Sequence, residues 1–262
     1  DYYASRGLGD VYKRQGQAME LVKLALTLPH LDLRGLHCHV GSQVFGEDVY
    51  QRTLDIMVPF LASIREETGV TLSDLNLGGG YGVRYTAEDE AINIPARLKE
   101  LAAHLKEETE RLGLPMPRFL MEPGRSIVAD AGMTLYTVGS VKRIPGYKQY
   151  AAVDGGMTDN PRYALYQSRY TVYHAYKSGS MERFDVVGRC CESGDIIQPG
   201  VELPGDTCRG DILAVCTTGA YNYSMASNYN RLPRPAVVML TPDRIYEAVR
   251  RETFADLTAL DL

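Results

Sequence analysis

The sequence predicts a parallel α/β domain followed by a mostly antiparallel β domain. Helical and strand patterns alternate as far as about residue 132, whereas the later part consists of short β-branched and aromatic segments separated by turn residues. With 262 residues, 45% of them hydrophobic, the chain can bury the core of one large domain or two moderate ones. We predict an α/β domain at residues 16–132 and a β domain with a terminal helix at 133–262, after a lead-in at 1–15 that matches neither pattern.

Each strand of the predicted α/β domain is preceded by a helix and followed by polar or glycine-rich residues. Apolar residues at helical spacing alternate along this part of the chain with short apolar runs. Because parallel α/β folds build their sites at the carboxyl ends of the strands, we expect the three following loops to converge on one site. The predicted helices span residues 18–29, 48–68 and 94–112, and the predicted strands span 33–40, 72–77 and 118–121.

The second domain is predicted from short strands and the turns between them. Pro145-Gly146 and Pro199-Gly200 are turn signals between β-branched or aromatic segments. The last segment, residues 243–260, has the pattern of an exposed amphipathic helix, whose charges, Arg250 and Asp256 among them, form a solvated face. The predicted strands span residues 133–141, 149–153, 170–176, 183–187 and 211–216.

The composition favours a small-molecule partner. Lysine and arginine number 28 against 33 acidic residues, a formal charge of -5, so no basic field favours nucleic acid, and no apolar run is long enough to cross a membrane. The five cysteines are an odd number and include no CxxC pair, which indicates neither a disulfide framework nor a zinc site. We therefore expect a reducing, cytoplasmic location.

The turn Glu122-Pro123-Gly124-Arg125 at the end of the third predicted strand holds two opposite charges close together. A carboxylate and a guanidinium at a strand end suit an anion site, but they can equally form a structural ion pair. Taken alone, this turn leaves both interpretations open.

Two further loops have the residues of a ligand site. His37 and His39 project from one face of a strand, and the turn at Gly41 and Ser42 can bind an oxyanion. The histidine pair could bind a metal, but no further histidine or acidic cluster completes a ligand set. Residues 78–80 are three glycines, whose amides can approach a phosphate or merely form a flexible turn; the GxGxxG spacing of dinucleotide-binding loops is absent.

From about Ala18 onwards the chain resembles the fold-type III pyridoxal-phosphate decarboxylases, and among them most closely the members that act on diaminopimelate. The resemblance implies the C-terminal part of a (β/α)8 TIM barrel followed by an antiparallel β-barrel-like domain. It also implies a lyase that binds pyridoxal 5'-phosphate and works as a homodimer with shared active sites. The motifs that carry it are GLHCHVGSQ, LNLGGGYG, MEPGRS, VDGGMTDNPRYALY, GRCCESGD, GDILAV, TGAYNYSMASNYN and RRET.

The resemblance assigns the cofactor's three contacts to different residues. His39 is expected to stack on the pyridine ring, Glu122 to hydrogen-bond its nitrogen, and Arg125 to bind the phosphate together with a serine and the glycine amides. His37 then has no role and is expected to be a core residue. The full set of expected cofactor-binding residues is His39, Ser42, Gly78, Gly79, Gly80, Glu122, Pro123, Gly124, Arg125 and Tyr221.

The resemblance also assigns substrate and catalytic roles. Cys191 is expected to return a proton to the substrate's α-carbon from across the dimer interface, whereas Cys38, Cys208 and Cys216 are expected to be small buried hydrophobic residues. Where the family usually has a proline after the substrate-binding arginine, this chain has Tyr163. The expected substrate-binding residues are Arg125, Arg162, Tyr166, Glu192 and Tyr221.

The lysine that holds the cofactor in this family, in a stretch like Tyr-Ala-x-Lys-Ala-Asn, has no counterpart before Gly16. We therefore expect an N-terminally truncated chain that is inactive alone and part of an enzyme converting meso-2,6-diaminopimelate to L-lysine and CO2. Three alternatives stay open: a sister decarboxylase acting on arginine, ornithine or carboxynorspermidine, a catalytically inactive cofactor-binding relative, and a metal-dependent hydrolase using His37 and His39.

Overall fold

The computed structural model of the protein describes residues 17–262, which divide into two units. The first unit comprises the described residues up to Val83 together with Glu90–Ile127, and the second comprises Arg84–Asp89 and Val128–Leu262. The predicted lead-in at residues 1–15 lies outside the described residues.

The first unit is a three-stranded parallel sheet with the order β1-β2-β3. Its strands are three residues long, shorter than predicted, because the backbone turns away directly behind each of them. The alternation of helix and strand is confirmed. The elements are α1 (Ala18–Thr27), β1 (Gly35–His37), α2 (Val49–Thr68), β2 (Asp74–Asn76), α3 (Ile94–Arg111), β3 (Arg118–Leu120) and the short α4 (Arg125–Val128).

The core of the first unit lies between this sheet and its helices. Leu54 and Val58 lie one helical turn apart on α2 and are fully buried, as are Leu75 and Leu77 at the β2 strand and Leu105 on α3. Helix and sheet therefore bury one continuous apolar layer, which fixes the position of the strand ends where the loops of the site begin.

The second unit contains a six-stranded sheet with the order β6-β9-β4-β5-β7-β8. All neighbouring pairs are antiparallel except β5 and β7, and the two edge strands β6 and β8 contact each other, so the sheet is nearly closed. The strands are β4 (Met133–Arg143), β5 (Gln149–Val153), β6 (Val172–His174), β7 (Met181–Val187), β8 (Ile196–Pro204) and β9 (Ile212–Cys216), with a short helix α5 (Arg162–Tyr166) between β5 and β6.

The prediction of one long terminal helix was wrong. Residues Val237–Leu240 (β10) and Ile245–Val249 (β11) form an antiparallel pair, and only Phe254–Thr258 (α6) is helical. Strand pairing with β10 stabilises β11 through contacts that the local helical pattern did not reveal. The charges are also paired rather than merely solvated, because Arg250 donates to Asp256 over 2.6 Å.

All five cysteines lie in the described residues and form no disulfide with one another. The prediction for Cys208 was wrong, since its side chain is exposed and its sulfur lies 3.5 Å from Lys177 Nζ. Cys38 and Cys216 are partly buried, and Cys191 is exposed. Among the helices of residues 17–262, none has both the length and the apolar character needed to cross a bilayer.

Asp211 connects two segments of the second unit, the residues that follow β6 and the turn that precedes β9. Its carboxylate accepts hydrogen bonds from Lys177 Nζ at 2.7 Å, the Tyr176 hydroxyl at 3.0 Å and the Cys208 amide at 2.8 Å. Burial opposes ionisation of this carboxyl, but the hydrogen bonds outweigh burial and hold the pKa of Asp211 well below its usual range. Ionised Asp211 therefore stabilises the folded state.

We predict that Asp211→Asn destabilises the protein most at neutral pH. Because the folded-state pKa is lowered, the stabilisation is complete above the ordinary aspartate pKa of about 4 and is lost as pH falls below it. In urea unfolding, the stability difference between wild type and variant should therefore shrink from about pH 6 to about pH 3. Asp206→Asn is the control, since Asp206 is 72% exposed and 3.8 Å from the same lysine. A difference that does not change with pH would contradict the prediction.

Candidate functional site

The three loops behind β1, β2 and β3 converge as the sequence predicts. Arg125 Nη2 donates to the Ser42 hydroxyl at 2.9 Å, which joins the first loop to the third. The Glu122 amide donates to the Gly78 carbonyl oxygen at 2.7 Å, which joins the third loop to the second. Arg125 is buried, so its positive charge is largely removed from water at this edge of the sheet.

The glycine turn is required by close packing and is not merely flexible. A Cβ at Gly79 would overlap the carbonyl oxygen of Glu122, and a Cβ at Gly80 would overlap that of Gly41. Gly80 also has a φ of +104°, a conformation that side chains with a Cβ rarely adopt. The loops can therefore approach each other only because these positions lack side chains.

His39 lies beside the glycine turn with its ring exposed. Its Nδ1 accepts a long hydrogen bond from the Gly79 amide at 3.3 Å, which places the ring against the glycine turn. An exposed, oriented imidazole of this kind can stack against a planar ligand.

Glu122 presents its carboxylate at the same edge, with its side chain 59% exposed. Asn76 Nδ2 donates to Glu122 Oε1 at 2.8 Å, and His37 Nε2 lies 3.5 Å from Oε2. The expectation that His37 is a core residue was therefore wrong, because its side chain is 51% exposed and faces this carboxylate. Both histidines of the pair have partners other than a metal ion.

Arg162 is the central charged residue of the second unit. It begins α5 directly behind Pro161, and only 6% of it is exposed. Its guanidinium carbon lies between 5.4 and 6.0 Å from the ring centroids of Tyr85, Tyr166 and Tyr221. This distance range permits cation–π attraction, so three tyrosines surround a charge that is largely removed from water.

The hydrogen-bonding capacity of Arg162 is only partly used. Nη2 donates to the Ser168 hydroxyl at 3.2 Å, whereas Nε is buried and has no hydrogen-bond partner among the described residues. Leaving a buried donor unpaired costs about 1–3 kcal/mol, and more for a charged group. A carboxylate ligand would satisfy this donor and neutralise the charge.

Cys191 and Glu192 form a turn that is held from two sides. Asp195 accepts from the amides of Cys190 and Met157, each at 2.6 Å. The Tyr229 hydroxyl donates a hydrogen bond to Glu192. This bond raises the pKa of the Tyr229 phenol, because a phenolate could no longer donate it and would lie beside the negative carboxylate. The turn is therefore held both by Asp195 of the same loop and by Tyr229, which lies 37 residues further along the chain.

Backbone strain is concentrated next to the predicted site residues. Cys191 and Tyr221 have positive φ values of 58° and 62°, and Gln43 and Gln167, which directly follow Ser42 and Tyr166, have values of 57° and 51°. Each such residue costs about 1–3 kcal/mol unless its surroundings impose the conformation. Strain of this kind is typical of positions that hold a functional side chain in place.

Sequence reasoning missed three residues of these arrangements: Asn76, Tyr85 and Tyr229. Asn76 and Tyr229 lie inside the motifs LNLGGGYG and TGAYNYSMASNYN, but their roles depend on partners 46 and 37 residues away. Tyr85 belongs to the short segment Arg84–Asp89 that packs with the second unit, and no local pattern indicated this. No group of three or more His, Cys, Asp or Glu side chains suited to a metal occurs within residues 17–262.

Residues 10–129 match the family described as "Pyridoxal-dependent decarboxylase, pyridoxal binding domain". Diaminopimelate decarboxylase of Bacillus subtilis is 44% identical over 249 residues, which are 94% of this chain and 56% of that protein. The chain thus spans little more than half the length of this curated relative.

Solved structures resemble both units. Diaminopimelate decarboxylase from M. jannaschii in complex with L-lysine has a TM-score of 0.89 and 32% identity, covering 95% of this chain and 56% of that one. Lysine/ornithine decarboxylase from Vibrio vulnificus, complexed with cadaverine, has a TM-score of 0.70 and 25% identity, covering 82% of this chain and 57% of that one.

We predict that Gly79→Ala destabilises the first unit, because the new methyl group would overlap the Glu122 carbonyl oxygen and force the two loops apart. The loss should be about 1–3 kcal/mol or more in the free energy of unfolding. Gly139→Ala is the control, since the nearest atom to a Cβ there lies at 3.7 Å. Urea unfolding followed by circular dichroism measures both, and equal stability of the two variants would contradict the packing argument.

Proposed function

Since the chain belongs to the pyridoxal-dependent decarboxylase family, we propose that it forms part of an enzyme that converts meso-2,6-diaminopimelate to L-lysine and CO2. The family resemblance predicted from the motifs is confirmed. The choice of substrate rests on Arg162, whose guanidinium is buried among three tyrosines and whose Nε has no hydrogen-bond partner among the described residues. We further propose that the first unit is part of a (β/α)8 barrel and that the second is an antiparallel β-barrel-like domain.

Pyridoxal 5'-phosphate is the cofactor of this family, and the residues of the first unit fit it. The buried Arg125 and the Ser42 hydroxyl supply charge and a donor for the phosphate, beside a glycine turn with no room for a side chain. His39 would lie against the ring, and Glu122 would accept a hydrogen bond from the protonated pyridine nitrogen. The bound ring supplies an electron sink for the pair of electrons that CO2 leaves behind.

The backbone amides of the glycine turn have two different roles, since one holds the shape of the loop and others are available to bind a phosphate. The Gly78 amide donates to Asn76 Oδ1 at 2.8 Å, so its role is to hold the turn. The Gly79 amide contacts His39 only weakly, at 3.3 Å, and can exchange this contact for a phosphate oxygen. We therefore assign phosphate binding to Gly79 and Gly80, together with Ser42 and Arg125.

Arg162 distinguishes an amino-dicarboxylate from a simple diamine precursor. Diaminopimelate carries a second carboxylate and a second ammonium at its distal end, and the carboxylate would pair with the unsatisfied guanidinium. Tyr166 would add a hydroxyl beside it, and Glu192 would accept the distal ammonium. A substrate without the distal carboxylate would leave Arg162 buried and unpaired, at a cost of several kcal/mol.

Cys191 is proposed to return a proton to the α-carbon after CO2 leaves. A thiol can serve as a general acid, because its sulfur can both donate and take up a proton. Cys191 is exposed, as a group that must meet a substrate has to be. By the family's arrangement, we propose a homodimer in which Cys191 and Glu192 serve the partner's site.

The proposed activity can be tested on this chain and on a chimera that adds the part of the Bacillus subtilis relative left uncovered by the alignment. With pyridoxal phosphate, the chimera should release CO2 and L-lysine from meso-diaminopimelate, as measured by coupled CO2 assay and amino-acid analysis. Preferred turnover of ornithine, arginine or carboxynorspermidine would instead select the sister decarboxylase. A chimera that binds the cofactor but turns over none of these substrates would select the inactive relative.

We predict that Arg162→Met in this chimera lowers kcat/KM for diaminopimelate by about 100-fold, mainly through KM, because one charge-assisted pair to the distal carboxylate is worth roughly 3 kcal/mol. Arg169→Met is the matched control, since Arg169 is 64% exposed and pairs with Glu88. Steady-state kinetics of both variants measure kcat and KM for diaminopimelate separately. An unchanged KM in Arg162→Met would exclude this residue as the carboxylate-binding group.

A further inference from the structure

Asn76, the last residue of β2, connects the two loops that carry the proposed cofactor contacts. Its Oδ1 accepts from the Gly78 amide at 2.8 Å, and its Nδ2 donates to Glu122 Oε1 at 2.8 Å. One side chain thus bonds to the glycine turn on one side and to the ring-binding carboxylate on the other.

Among side chains of this size, only an amide can make both contacts. An asparagine presents one acceptor and two donors in a rigid plane, whereas an aspartate of the same shape has acceptors only. The two partners also fix the orientation of the amide, because an N–H faces the oxygen and a carboxylate faces the nitrogen. The position of the Glu122 carboxylate relative to the glycine turn is therefore set by the width of one amide group.

We propose that Asn76 is a positioning residue that sets the spacing between the phosphate-binding glycine turn and the carboxylate of Glu122. This inference rests on the proposed function, in which the two loops hold opposite ends of one cofactor. The phosphate and the pyridine nitrogen belong to one molecule of limited length, so both can be bound well only when the Glu122 carboxylate keeps the matching distance from the glycine turn. In this role Asn76 would act through its bonds to Glu122 and Gly78.

The surroundings of Glu122 make Asn76→Asp an informative variant. The carboxylate of Glu122 is faced by Asn76 from β2 and by His37 from β1, whose Nε2 lies 3.5 Å away. The variant keeps the acceptor for the Gly78 amide but places a second carboxylate against Glu122. Two adjacent carboxylates repel when both are ionised and share a proton when one pKa is raised. The effect of this variant should therefore depend on pH.

The test compares two probes on the full chain. The affinity for inorganic phosphate measures binding at the glycine turn, Ser42 and Arg125. The affinity for 4'-deoxypyridoxine 5'-phosphate measures binding at these residues and at Glu122 together. The second probe lacks the aldehyde, so it binds without forming a bond to any lysine. Affinities come from calorimetry, and the absorbance of the bound hydroxypyridine ring reports the protonation of its nitrogen.

At about pH 8, Asn76→Asp should weaken the pyridine phosphate by about tenfold or more and change phosphate affinity by less than about twofold. Relative to wild type, the loss should recover towards about pH 5, as the carboxylate pair takes up a proton. Asn93→Asp is the matched control, since Asn93 caps α3 and aspartate caps a helix equally well. Asn76→Ala, which removes both contacts without adding charge, should weaken the pyridine phosphate at every pH.

Each other outcome overturns the proposal in a recognisable way. Equal pyridine-phosphate affinity in wild type and Asn76→Asp would show that Asn76 does not set the spacing, while the cofactor site itself stands. If Asn76→Asp weakened the binding of inorganic phosphate as much as that of the pyridine phosphate, Asn76 would only maintain the shape of the glycine turn. A wild-type chain that prefers the pyridine phosphate no more than phosphate would overturn the proposed cofactor site, and the role of Asn76 with it.

Discussion

The close approach of three loops at one end of the small parallel sheet is the constraint on which the first unit depends. Carbonyl oxygens from Glu122 and Gly41 occupy the space where side chains at positions 79 and 80 would lie. Interiors tolerate little volume change, so the loops can meet only with glycine at these points. The meeting brings the Ser42 hydroxyl to Arg125 and keeps that charge buried.

In the second unit the main constraint is the buried charge of Arg162 rather than close packing. A protein gains little by burying a guanidinium whose donors are incompletely used, because desolvation costs more than the tyrosine cage around it returns. This imbalance is the reason for the proposal that the carboxylate of a ligand pairs with Arg162.

Local patterns predicted the elements whose stability is local. The long helices α2 and α3 were predicted correctly because the helical spacing of their apolar residues and the signals at their ends lie within one short stretch of sequence. The segment now seen as β11 was misassigned because its stability comes from pairing with β10, which a helical charge pattern cannot reveal. The exposure of His37 and Cys208 was missed for a related reason, since burial depends on which neighbours the fold supplies.

The sequence by itself determined the order of helices and strands in the first unit, the loops that carry the polar residues, and the family to which they belong. Those features depend on short-range periodicity and on motif spacing. Only the tertiary structure decided which groups meet: the amide of Asn76 with Glu122, Tyr229 with Glu192, and three tyrosines around Arg162. Hydrogen bonds and cation–π contacts act over a few ångströms in space, and the chain brings these partners together from positions far apart in sequence.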